Sequence, residues 1–167
     1  MRRRMTFIVV AAIFIGAATG CAEPASLDLD AAQTTVEYSF RDSSVPPPYH
    51  RSYVIKASET EASITVDSYG DVLRQETAAM PAETWAKVLE SAETLPRRTH
   101  NMRTPKPGCA GGTGSRIMVR DSGREQYSKS VENCGGGSDQ PLRETTAPLE
   151  DLFDMNDLLK ESFGEEY

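Results

Sequence analysis

Apolar and polar positions alternate cleanly from Thr35 to Arg41, with Val36, Tyr38 and Phe40 to one face and Glu37, Ser39 and Arg41 to the other. This period of two predicts a half-buried strand. Ser52 to Ser58, carrying Tyr53, Val54 and Ile55, and Ala62 to Tyr69, carrying Ile64 and Val66, predict two further strands across the polar turn Glu59, Thr60, Glu61. Gly70 and Asp71 turn the chain into a weaker strand, Val72 to Thr77. The period then changes. Pro81 at a first helical position and Glu83 in the first turn announce a helix whose apolar stripe is Trp85, Val88, Leu89, Ala92 and Leu95, ended by Pro96. Alternation returns at Ile117 and Val119, crosses Ser122 and Gly123, and resumes at Tyr127 and Val131, the signature of a hairpin. A last amphipathic helix is expected over roughly Leu149 to Phe163, with Leu152, Phe153, Leu159 and Phe163 on one side and Glu150, Asp151, Asp154 and Asp157 on the other.

These elements predict an α+β domain: an antiparallel sheet of about five to six strands packed against one central helix, plus a C-terminal amphipathic helix. Trp85, inside the helical stripe, is expected to anchor that helix to the sheet.

Two connections stand out from the pattern. Val45 to His50, reading VPPPYH, is stiffened by three prolines and carries an aromatic residue. Such a pre-ordered loop loses little entropy when it binds. Arg97 to Gly108 holds Arg97, Arg98, Arg103 and Lys106 with no acid. It reads either as a solvated connection or as a docking patch for an anionic partner.

The N-terminus says most about place. Three arginines precede an apolar run from Phe7 to Ala18, which is followed by small residues and a cysteine. This is the layout of a secretion signal, and about 12 apolar residues fall short of the ~20 needed to span a bilayer. Ala18-Thr19-Gly20-Cys21 resembles the lipobox of bacterial lipoproteins. The resemblance implies that residues 1–20 are removed and that Cys21 carries the lipid, anchoring the chain to a membrane. Residues 21–33, small and acidic, are then a tether, and 34–167 a single domain of the kind found in small lipoproteins of unknown function. Ala22 after the cysteine points to the outer membrane, facing the periplasm, if the source has two membranes. With Cys21 acylated in an oxidising compartment, Cys109 and Cys134 are left as an even pair, and a disulfide between them is expected. A metal site is the lesser reading, because no CxxC or nearby histidine accompanies them.

Charge narrows the partners. Removing residues 1–20 takes away three of the 18 basic side chains and none of the 25 acidic ones, leaving a formal net charge of about −10. Nucleic acid is therefore not expected as a partner, whereas an envelope protein or an anionic envelope component is. No cofactor or metal motif is present. Gly111, Gly112 and Gly114 precede a strand rather than a helix, no Walker A or GxSxG elbow occurs, and the acids of the last helix lack a DxDxDG loop.

His50 and His100 are the only histidines, and both are expected as exposed loop residues. The leading expectation is a non-catalytic envelope lipoprotein that binds through Tyr49 and His50, through the basic segment Arg97, Arg98, Arg103 and Lys106, or through both. The alternatives are a small periplasmic hydrolase using one of the histidines with a nearby serine or acid, and a periplasmic protease inhibitor inserting the proline loop into a cleft.

Overall fold

The structure is a computed structural model and describes residues 25–102, 111–134 and 139–160. The segment read as a secretion signal, Cys21, Arg103, Lys106, Cys109, the Gly135–Ser138 run and Phe163 lie outside the described residues. Six strands form one antiparallel sheet: β1 (Thr34–Arg41), β2 (Ser52–Ala57), β3 (Glu61–Ser68), β4 (Asp71–Ala79), β5 (Thr113–Asp121) and β6 (Arg124–Asn133). Their order is β4-β3-β2-β1-β5-β6. The first four strands are a meander, and the β5–β6 hairpin is added to the other side of β1 after the chain has passed through helix α1 (Ala82–Arg98). Both tight hairpins turn with two successive residues at positive φ, Tyr69 with Gly70 and Ser122 with Gly123. That is the backbone sense matching the twist of paired strands.

The register of β1 explains the core. Val36 lies opposite Ala57 and Val119, and Tyr38 opposite Ile55 and Ile117, so the alternating apolar positions of three neighbouring strands share one face. Ile64 and Val66 extend that face through β3. Onto it pack Trp85, Val88, Ala92 and Leu95 of α1 and Leu142 and Leu149 of helix α2 (Gln140–Glu150), in one buried cluster. Trp85 is 3% exposed, and its ring N–H donates to the Ala31 carbonyl at 3.1 Å. The expected anchoring role of this residue holds. The α+β class and the six-stranded antiparallel sheet are as expected.

Three boundaries differ from the sequence reading. Pro96 does not end α1, which runs on to Arg98. A proline in the last turn forfeits only one helical bond, and the Thr99 backbone N–H and hydroxyl both close on the Leu95 carbonyl, at 3.0 and 2.7 Å. Over its described part, to residue 160, the expected 149–163 helix is instead the end of α2, a break at Asp151–Asp154, and a short α3 (Met155–Leu158) capped by the Asp154 side chain, which accepts from the Asp157 N–H at 3.0 Å. Packing on the domain also begins before residue 34. Leu27, Leu29 and Ala31 pack on the core, and the Leu27 N–H donates to the Glu93 carbonyl at 3.0 Å.

Candidate functional site

The 42–51 loop is built from its base upward. The Asp42 carboxylate accepts from the Ser43 N–H at 2.7 Å and, across the loop, from the Arg51 N–H at 2.9 Å, while the Asp42 N–H donates to Ser52 Oγ at 3.0 Å. Pro47–Tyr49 form a single 3-10 turn, with Pro46 and Pro47 supplying the fixed φ that such a turn uses. From the neighbouring β3–β4 hairpin the Ser68 hydroxyl donates to the Pro47 carbonyl at 2.9 Å, and the Tyr69 hydroxyl to the Val45 carbonyl at 2.5 Å. The loop is thus held from below by Asp42 and from the side by the hairpin.

His50 departs from expectation. It is 5% exposed rather than an open loop residue. Tyr69 lies stacked on it, ring centroids 3.9 Å apart and planes at 22°. His50 Nε2 lies 3.4 Å from Ser52 Oγ, and Nδ1 is buried with no hydrogen-bond partner among the described residues. Tyr69 holds φ at +55°, a left-handed conformation that is uncommon for a bulky residue, so the turn is kept against its own preference in the geometry that covers His50. Around this corner Tyr49 is 48%, Tyr69 57%, Val72 63% and Leu73 39% exposed, and these are the large apolar side chains that stand open among the described residues.

The basic segment is divided. Arg97 and His100 are exposed at the end of α1. Arg98 is drawn inward: its guanidinium donates to Ser91 Oγ at 2.7 Å and to the Pro141 carbonyl at 3.2 Å, and pairs with Glu144 at 2.5 Å. Gln140 first and Arg98 second hold the Glu144 carboxyl below its usual range. Arg98 therefore ties α1 to α2 and is not part of an open patch. Arg103 and Lys106 lie outside the described residues. Cys134 is disulfide-bonded, and Cys109, its expected partner, lies outside the described residues.

A second locus was not anticipated. Between α2 and the sheet lies a cleft of about 350 Å³ lined by Tyr38, Phe40, Tyr53, Thr113, Asn133, Asp139, Arg143, Glu150 and Leu159. Tyr38 and Tyr53 occupy inward positions of adjacent strands, so each phenol needs a partner inside. The Tyr53 hydroxyl donates to Glu150 Oε1 at 2.8 Å. The Tyr38 hydroxyl donates to Ser115 Oγ at 3.3 Å, and Ser115 in turn to Asp139 Oδ2 at 2.5 Å. Burial pushes the Tyr38 phenol up to about 12, and burial followed by the adjacent Glu150 charge pushes that of Tyr53 higher still. Both phenols are therefore fixed, protonated donors at neutral pH. The signal available in the sequence was the pair of tyrosines at inward-facing strand positions. Their acidic partners come from α2 and its cap, which the helix boundary placed elsewhere.

Compared with known protein families, curated proteins and solved structures, the chain matches none.

Proposed function

We propose that this protein is a non-catalytic, lipid-anchored envelope protein that binds another protein or an envelope component through the corner formed by the 42–51 loop and the β3–β4 hairpin. Cys21 is the lipid attachment point, and the domain faces the periplasm from the outer membrane where two membranes exist. The observation that carries the reading is the display of Tyr49, Tyr69, Val72 and Leu73 around a loop fixed on two sides. Rigid, exposed aromatic side chains are efficient contacts because little motion remains to be lost on binding. Arg97, exposed at the end of α1, is the described member of the basic segment free to meet an anionic component.

The test is cross-linking and capture of the lipidated protein from native envelopes, with a Tyr49→Ala/Tyr69→Ala variant alongside. A partner retained by the variant at full yield removes the corner from consideration. Cys21→Ser should shift the protein from the membrane fraction to the soluble one; no shift contradicts the anchor.

The 3.4 Å approach of Ser52 Oγ to His50 Nε2 supports a second reading, a serine hydrolase. It is the weaker one. Ser52 Oγ already accepts the Asp42 N–H, and Tyr69 covers the imidazole, so a substrate reaches the pair only by displacing that ring. Labelling of Ser52 by a fluorophosphonate probe, abolished in His50→Ala, would establish it.

A further inference from the structure

The cleft beneath α2 carries carboxylate oxygens that the described residues leave open, beside one buried amide oxygen. Asp139, 8% exposed, uses Oδ2 for Ser115, and Glu150 uses Oε1 for Tyr53. Neither remaining carboxylate oxygen receives a hydrogen bond from a described residue. Asn133 Oδ1 is buried with no partner among the described residues, a state that costs on the order of 1–3 kcal/mol unless a donor arrives. The nearby phenols cannot supply one, because both protons are committed to Ser115 and Glu150. Among the described residues that line the cleft, two carboxylates stand against the one cation Arg143, which leaves their sum negative. Phe40 and Tyr53, stacked at 5.3 Å and 28°, provide an aromatic wall.

We propose that this cleft is a binding site for an organic cation carrying N–H donors, an ammonium or guanidinium head on an apolar stem. The head sits among Asp139, Glu150 and Asn133, and the stem lies on Phe40. Each feature selects for that chemistry. The acceptors demand donors, the net charge demands a cation, and the ring faces favour a cation over a neutral group. A neutral sugar would answer the acceptors but not the charge. A divalent ion would find two carboxylates, and the described residues contain no cluster of three or more candidate metal ligands. The same head group can come from a free amine or from a lysine or arginine of a partner protein.

Isothermal titration of the purified full-length protein tests this, with agmatine and cadaverine as free amines, a short arginine- and lysine-containing peptide, and N-acetylglucosamine. Saturable binding of an amine or of the peptide is expected, the one that binds more tightly identifying the source. Glu150→Gln keeps the hydrogen bond to Tyr53 and should weaken binding at least about tenfold, the size of one charge-assisted contact. Arg143→Ala, at an exposed position, should tighten it by removing the competing cation, and this variant does not depend on the buried acids for folding. Glu83→Gln on α1 should leave it unchanged. The proposal fails if no amine or peptide binds, if the sugar binds as tightly as the amines, if Arg143→Ala weakens binding, or if Glu83→Gln weakens it as much as Glu150→Gln.

Discussion

The Tyr69 ring lies flat against the His50 imidazole while the Tyr69 hydroxyl closes on the Val45 carbonyl at 2.5 Å, so one side chain both roofs the histidine and pins the proline loop. The two roles separate by mutation. Tyr69→Phe keeps the roof and loses a hydrogen bond at an exposed position, with an expected cost of about 1 kcal/mol or less. Tyr69→Ala loses both and should cost about 1–3 kcal/mol. Urea denaturation compares them; equal losses would mean that the stacking contributes nothing.

Arg97 and Arg98 are neighbours in sequence and opposites in role. Arg98→Ala removes the link from α1 to Pro141 and Glu144 of α2, together with the bond to Ser91 on α1 itself, and should destabilise by about 1–3 kcal/mol. Arg97→Ala should stay within about 0.5 kcal/mol, as exposed substitutions do. Thermal melts of the two variants would decide, and indistinguishable melting temperatures would argue against the clamp.

The phenols make an alkaline prediction. Their folded pKa values lie above the ordinary value near 10, so above pH ~10 the unfolded chain releases protons that the folded chain still holds. By linkage, stability is intact below that pH and falls as pH rises from about 10 toward about 12. Tyr38→Phe and Tyr53→Phe should each flatten the fall. Urea midpoints between pH 8 and 11, with phenolate absorbance followed in parallel, measure it; an unchanged slope in both variants would reject the assignment.

The bond at Cys134 should appear in non-reducing peptide mass spectrometry as a Cys109–Cys134 cross-link. Closing a loop of about 26 residues stabilises by roughly 3 kcal/mol on the chain-entropy model, so reductant should lower the urea midpoint. A Cys21–Cys134 peptide would contradict both the pairing and the lipidation of Cys21.

How much of this was legible in the sequence depended on which residues carried the pattern. The strands were readable because Val36, Tyr38, Ile64 and Val66 alternate with polar neighbours and Tyr53, Val54 and Ile55 form a run of strand-favouring residues, and α1 because its stripe is wholly apolar. Helix α2 was hidden because two of its four buried positions are threonines, Thr145 and Thr146. Their hydroxyls bond back to the Pro141 and Leu142 carbonyls at 2.9 and 3.2 Å, which lets them sit inside while reading as polar. The burial of His50 was invisible because the residue that covers it, Tyr69, is 19 positions away and in a conformation its residue type seldom takes. The cleft was invisible for both reasons together. Its floor is on the strands, and its charges are on the helix that the pattern misplaced.

Helix α3 spans four residues, too few to persist on helical bonds alone. Two guanidiniums from the sheet side close on its C-terminal end. Arg51 directs Nε and Nη2 to the Lys160 carbonyl at 3.1 and 3.0 Å, and Arg74 reaches the Asp157 and Leu158 carbonyls. Arg51 is 7% exposed and directly follows His50. A chain truncated before Met155 would strand a buried cation at the root of the proline loop, so the loop and the tail should open together in hydrogen exchange as one cooperative unit. The corner at Tyr69 is thereby made sensitive to what happens about 90 residues downstream.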